Sequence, residues 1–282
     1  LNGLITITGT VGGILSGSLA LISDAIHNLS DTFALLLAFI ADKVGKRKPN
    51  EKLTFGYKRF EILAAFINAS LLTAISIYLI YAAIMRMMQP TEVHSSLMLI
   101  IAIIGLVGNL VSMIFLQKVA KISLNLRAAY LHLLGDTMSS VAVIAGALLI
   151  KFLHFLWIDP FLTLIICLVI LWQAYRILRE SVEILMQSTP GSLDLDEVRK
   201  LLESIPMIRN VHHVHCWQMQ DHDILFEAHL EISRDITLGE SKAILANAEK
   251  MLMEHFGITH TTFQLEYGFC DDASMIMHKM KR

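Results

Sequence analysis

Charge is scarce in this sequence. Of 282 residues only 17% are Asp, Glu, Lys or Arg, while 55% are hydrophobic. That balance excludes an ordinary water-soluble globule and points to a membrane protein. Cysteine is scarcer still. Cys167, Cys216 and Cys270 show no Cys-x-x-Cys pairing, which excludes a disulfide framework and a thiolate zinc site. Cys167 falls within an apolar run and reads as packing; Cys216 and Cys270 read as free thiols in a reducing compartment. His-Glu-x-x-His, the commonest zinc-protease signature, is missing. So are a long internal repeat, a low-complexity tract and a cleavable signal with a basic start and a small-residue cleavage site.

What is there is length and apolarity in register with a bilayer. Stretches of about 20 apolar residues, enough to cross ~30 Å of hydrocarbon, recur at roughly 1–16, 19–42, 60–85, 96–116, 128–150 and 157–178. Six transmembrane helices are expected. The first stretch is short and starts without a methionine, so it is expected to be truncated at its N-terminus. Basic residues in short loops set orientation. Lys43, Lys46, Arg47, Lys48, Lys52, Lys58 and Arg59 follow the second span, Lys118, Lys121 and Arg127 lie between the fourth and fifth, and Arg176 and Arg179 end the sixth. The other side offers only Arg86 and Lys151. Both termini are therefore expected in the cytosol.

Composition changes near Ser188, with Thr189-Pro190-Gly191 as a natural boundary. Residues 190–282 carry a net charge of −6 and eight of the twelve histidines, whereas the preceding part is net +4. The expected domains are a transmembrane one over 1–187 and a cytosolic one over 188–282. An acidic, His-rich domain argues against nucleic acid and suits cations, although a solvated acidic surface explains much of the same composition. Helical spacing at Val198, Leu201 and Leu202 predicts a helix over 194–204. Strands at 211–219 and 224–232 flank Gln220-Asp221-His222-Asp223 and should form a hairpin. A second helix over 238–256 stops at Gly257, and a last strand covers 261–267. The fold class is thus a six-helix membrane protein with a cytosolic α+β domain of order αββαβ.

The chemistry lies in two copies of one spacing, His27-x-x-x-Asp31 and His132-x-x-x-Asp136. Residues four apart share a helix face. An ionisable group at bilayer depth is costly, ~2.5–3.5 kcal/mol for Asp on insertion scales, and usually functional. One such pair in a soluble helix is as readily a plain hydrogen-bonded pair. Here two occur on antiparallel spans. At ~1.5 Å per residue, Asp31 and Asp136 reach nearly the same level close to the midplane. Two imidazoles and two carboxylates suit a tetrahedral divalent ion, zinc above all. Cobalt, nickel and cadmium stay open, while magnesium and calcium prefer more oxygens. Asp24 either lines the pathway or, the favoured reading, hydrogen-bonds a neighbouring helix. Glu61 beside Arg59 reads as an interfacial ion pair, and Asn68 and Asn109 as inter-helix hydrogen bonders. Close-set small residues (Gly9, Gly13, Gly17; Gly105, Gly108) read as helix packing. An intramembrane metalloenzyme and a passive cation channel are the rival readings.

The run Ser18-Leu-Ala-Leu-Ile-Ser-Asp-Ala-Ile-His27-Asn-Leu-Ser-Asp31 resembles the second-helix signature of the cation diffusion facilitators. Thr54-Phe-Gly-Tyr-Lys-Arg-Phe-Glu61, Ala129-Tyr-Leu-His132-Leu-Leu-Gly-Asp136 and Asp159-Pro160 resemble further landmarks of that family. The likeness is greatest to its bacterial zinc, cadmium and cobalt efflux branch. It implies a homodimeric zinc-for-proton antiporter, not an enzyme, in the inner (cytoplasmic) membrane, with His27, Asp31, His132 and Asp136 as transport ligands. It further implies a metallochaperone-like cytosolic domain with zinc as a regulatory ligand, at positions matching His212, His229 and Glu266. Zinc is then cargo and regulator, and no organic cofactor is expected. His27, in place of the Asp found in broader-range members, implies zinc over cadmium. Gln264 stands where some relatives have histidine, and the loop 46–51 lacks histidine, so an accessory site there is not expected.

Overall fold

A computed structural model describes residues 2–117, 124–220, 223–268 and 275–276. The connection around Lys118 and Lys121, the Asp221-His222 turn and the Cys270 thiol lie outside the described residues. The chain divides into two compact units, Leu1–Ala41 with Ala64–Arg179, and Asp42–Leu63 with Glu180–Arg282.

The first unit is helical. Its elements are α1 (Asn2–Ser16), α2 (Leu19–Gly45), α3 (Phe60–Met88), α4 (Ser95–Gln117), α5 (Leu124–Leu153) and α6 (Ile158–Leu185), of which α2, α3 and α6 run on into the second unit. By length and composition five of these can cross a membrane. The sixth, α1, is apolar but has 15 residues, about 22 Å at 1.5 Å per residue. Most helices outrun the apolar stretches that announce them. Backbone hydrogen bonding continues where the side chains turn polar, as in the last turns of α6 around Glu180 and Glu183.

Two apolar clusters hold the helices together. Ala20, Leu21, Met98, Ala102, Val143 and Ala147 join α2, α4 and α5. Leu19, Leu79, Ala83 and Cys167 join α2, α3 and α6. Cys167 is fully buried, as packing requires, with its Sγ 3.7 Å from Ser23 Oγ. Small residues set the closest approaches: a Cβ on Gly108 would lie 2.5 Å from the Ile5 side chain. Side chains such as Leu35, Phe39, Phe152 and Trp172 point outward, unburied, as a lipid-facing surface allows.

The second unit contains α7 (Leu195–Glu203), β1 (Ile208–Gln218), β2 (Ile224–Ile232), α8 (Leu238–Phe256) and β3 (Ile258–Glu266). The sheet order is β1-β2-β3, with β1 antiparallel and β3 parallel to β2. Val198, Leu202, Val211, Phe226, Leu230 and Leu252 form its core. Caps fix the helix starts. Asp194 accepts from the Asp196 amide, and Thr237 with Glu240 makes a reciprocal capping box. Gly257 ends α8 at φ 66°, so β3 starts at Ile258, three residues before the expected Thr261. The β1 register shifts between His212 and His215, and His213 sits at φ 51°. This bulge re-aims neighbouring side chains.

Candidate metal centres

Helices α2 and α5 bring the two His-x-x-x-Asp pairs together. His27 Nε2 lies 3.6 Å from Asp31 Oδ2 and 3.5 Å from Asp136 Oδ1. His132 Nε2 lies 3.1 Å from Asp31 Oδ2 and 3.7 Å from Asp136 Oδ2. The two rings meet edge to face with centroids 5.7 Å apart. Donors held at ~2.0 Å from a tetrahedral zinc stand roughly 3.3 Å from one another. The observed nitrogen-to-oxygen separations bracket that value. His27, His132 and Asp136 each offer a ligand atom within 4.8 Å of the others. Asp136 is buried, at 6% exposure, and two carboxylates together carry the charge a divalent cation cancels. Among the described residues His27 Nδ1 is buried without a hydrogen-bond partner.

Around this cluster, polar side chains reach between helices. Ser139 of α5 donates to Asp24 Oδ1 at 2.8 Å, which is the helix-linking role favoured for Asp24. Asn68 donates to Ser30 Oγ at 3.1 Å and Asn109 to Ser140 Oγ at 3.5 Å. The expected Arg59–Glu61 pair does not form. Among the described residues Arg59 Nε is buried with no hydrogen-bond partner, and Lys58 instead pairs with Asp223. Arg59 and Glu61 are only two apart at the start of a helix, too close in sequence to face each other.

One residue stands out that sequence reasoning left as a mere landmark. Asp159, at the start of α6, is fully buried and caps a different helix. Its carboxylate accepts from Ser18 Oγ at 2.5 Å, the Leu19 amide at 3.0 Å and the Ala20 amide at 3.2 Å. Arg86 of α3 approaches it at 3.5 Å and donates to the Gly17 carbonyl. Gly17, at φ 71°, makes the turn that presents those amides. Asp159 thus satisfies amides at the N-terminus of α2, the helix that carries His27 and Asp31, while Arg86 balances the carboxylate and holds the Gly17 carbonyl. The only hint in the sequence is a carboxylate at the edge of an apolar run, 140 residues from its partner.

The second unit assembles a smaller cluster. His212, His229 and Gln264 are register neighbours across β1, β2 and β3, and Glu266 follows Gln264 on the same face. Glu266 lies 3.2 Å from His212 Nε2 and 2.7 Å from His229 Nδ1. Gln264 donates to Glu266 Oε1 at 2.8 Å, so it orients the carboxylate. Beside the cluster, His213 stacks flat on His229, centroids 4.5 Å apart, and touches His215 edge-on at 5.1 Å. Burial lowers the His213 pKa, and the neighbouring His229, His215 and His212 lower it further. Burial pushes the Cys216 thiol up to about 12, which leaves it a protonated, inert core group.

With this geometry in hand, comparison with known proteins is informative. The family model of the cation efflux transmembrane domain matches residues 1–186, and that of the cation efflux protein cytoplasmic domain matches residues 190–267. The chain is 38% identical over 278 residues to the metal cation efflux system protein CzcD of Cupriavidus metallidurans, covering 99% of this chain and 87% of the relative. It is 41% identical over 276 residues to a cadmium, cobalt and zinc/H(+)-K(+) antiporter of Bacillus subtilis, covering 96% and 88%. It is 40% identical over 262 residues to the zinc transporter ZitB of Escherichia coli, covering 92% and 82%.

Proposed function

Because the chain belongs to the cation efflux family, whose members are metal transporters and not enzymes, we propose that it exports zinc from the cytosol in exchange for protons. The observation that carries this reading is the convergence of His27, Asp31, His132 and Asp136, with nitrogen-to-oxygen separations of 3.1–3.7 Å. Those four residues form the transport site, and zinc is its cargo. Zinc binds neutral imidazole and ionised carboxylate, so loading expels protons and protonation favours release. The imidazoles and carboxylates that release zinc are the groups that take up the exchanged protons. Alternating access follows, the bundle opening the site first to the cytosol and then to the outside.

The relatives named for cadmium and cobalt keep those ions, with nickel, as rival cargo handled by the same four ligands. The transport domain covers 1–187 and the regulatory domain 188–282. The basic loops place both termini on the cytosolic side of the inner membrane. His212, His229 and Glu266 bind regulatory zinc, and the cytoplasmic-domain match supports a homodimer joined there.

Zinc flux into proteoliposomes, with internal pH recorded, tests the proposal. Zinc entry should be matched by proton exit and should stop in the Asp136→Ala variant. Flux indifferent to a pH gradient would indicate a channel; undiminished exchange in Asp136→Ala would refute the site.

A further inference from the structure

The loop between α2 and α3 belongs to the second unit and is well built. Asn50 Oδ1 accepts from the amides of Lys52 and Leu53, both at 2.9 Å, and Gly56 turns the chain at φ 73°. Three basic residues flank this turn, but they are not equivalent. Lys58 is neutralised by Asp223. Lys52 and Arg59 instead line a cavity of about 320 Å³ together with Phe55, Gln187, Trp217 and Met219. Arg59 Nε is buried there with no hydrogen-bond partner among the described residues. Phe55 is held by an edge-on contact with His260, centroids 6.2 Å apart.

We infer that this cavity binds the phosphodiester headgroup of an anionic phospholipid, with Arg59 donating to a phosphate oxygen and Lys52 supplying the second positive charge. A guanidinium is the natural donor to phosphate, and an anion satisfies the buried N–H that the protein leaves unpaired. Leu53, Phe55, Trp217 and Met219 give the remaining wall a largely apolar character beside Thr54 and Gln187, which suits a glycerol backbone better than free phosphate. Chain continuity sets the depth. Arg59 immediately precedes α3, whose apolar run opens at residue 60, so the guanidinium sits where that span leaves the bilayer. A basic segment on the cytosolic face meets the anionic leaflet. The inference rests on the proposed loop orientation and not on zinc being the cargo.

Native mass spectrometry of the full-length protein with an equimolar mixture of phosphatidylglycerol and phosphatidylcholine tests it. The wild type should retain phosphatidylglycerol with a preference of about tenfold. Arg59→Gln should bring that preference close to one. Lys52→Gln, on the exposed loop and harmless to folding, should lower it about threefold, and Arg59→Lys should keep part of it. Lys48→Gln removes a charge from the same loop outside the cavity and should change nothing. Equal losses in Lys48→Gln and Arg59→Gln would mean diffuse surface attraction and overturn the site. Unchanged preference in both Lys52→Gln and Arg59→Lys would overturn it too. Displacement of the lipid by millimolar inorganic phosphate would reassign the cavity to a soluble anion.

Discussion

The two histidine–carboxylate clusters use the same donor atoms in opposite settings. In the membrane unit, four ligands come from two helices, and each helix contributes a pair one turn apart. In the cytosolic unit, two histidines and one glutamate come from three strands and are ringed by Gln264, His213 and His215. As proposed ligand sets, the first offers two carboxylates and two imidazoles to a tetrahedral ion, and the second one carboxylate and two imidazoles. A full set of charge-balancing donors matters at bilayer depth, where an uncompensated charge is costly. It matters less outside the bilayer, where solvent or a second subunit can supply a further donor. A cargo site must also let go, and two carboxylates that can be protonated provide the means.

The sharpest way to break this comparison is to remove one donor from each cluster. His27→Ala or Asp136→Ala should reduce zinc-for-proton exchange by on the order of 100-fold or more, while metal binding at the cytosolic cluster persists. His27→Asp keeps four donors but trades nitrogen for oxygen. It should retain transport and shift the cadmium-to-zinc flux ratio upward, measured in the same vesicles. Equal loss of both metals in His27→Asp would show that the residue is structural and not selective.

Helix ends differ between the two regions in the same way. Helix α8 is capped locally by Thr237 and Glu240, whereas α2 combines a local cap, the Leu21 amide donating to Ser18 Oγ at 3.1 Å, with the Asp159 carboxylate from 140 residues away. In water, an amide left over by the local cap finds solvent; in an apolar bundle it does not, so an acceptor for the Leu19 and Ala20 amides is brought in by tertiary structure. Asp159→Ala should therefore strip three acceptor contacts and leave the Arg86 guanidinium without its carboxylate partner. The expected loss is about 3 kcal/mol of stability, read by thermal unfolding in detergent, with transport falling as α2 loosens. Asp159→Asn preserves shape and part of the hydrogen bonding and should lie between. A variant Asp159→Ala that melts like the wild type would remove the distinction between local and tertiary caps.

That contrast also explains what the sequence displays and what it hides. Apolar runs and the repeated His-x-x-x-Asp spacing are local signals, and the helices and the convergence of α2 with α5 follow from them together with loop charge. The αββαβ order is legible for the same reason, from turn residues and amphipathic spacing. Asp159 and the Lys58–Asp223 pair are not legible, because each joins segments far apart in the chain. The His213 bulge hides too: three histidines in four residues suggest a ligand run, yet the register shift separates His212 from His213 and turns the latter onto His229. The starts of β1 and β3 are missed by three residues each, where the strands begin before the apolar alternation is clear.

A gentler cut compares what the clusters are for. Glu266→Gln removes the single charge of the cytosolic cluster and should weaken its metal binding about tenfold or more. Maximal transport should change little. Apparent affinity for cytosolic zinc should fall about fivefold, the low end of ordinary coupling between sites. Transport kinetics at varied zinc, set beside direct metal titration, separate the two. Maximal flux falling as far as it does in Asp136→Ala would make the cytosolic cluster part of the pathway.

The smallest expected effect concerns the local cap of α8. Glu240 is exposed, yet its carboxyl is held at about 2 against an ordinary 4.5. The Thr237 amide is the largest cause, followed by the Arg234 guanidinium and the Thr237 hydroxyl. A carboxylate with a folded pKa below its unfolded one adds stability above the unfolded value, and that contribution is lost as pH falls from about 4.5 towards 2. Exposure and salt screening keep the contribution modest. Glu240→Gln retains a hydrogen-bonding side chain and loses only the charge. Unfolding of the cytosolic unit in the full chain, followed against pH, should thus show the wild type slightly more stable than the variant at neutral pH. The two curves should converge in acid, and high salt should narrow the gap by weakening the Arg234 contact. A gap that persists unchanged below pH 2 would mean that the box acts through shape alone, and the charged half of the local cap would then contribute nothing that the buried, tertiary cap at Asp159 must supply in full.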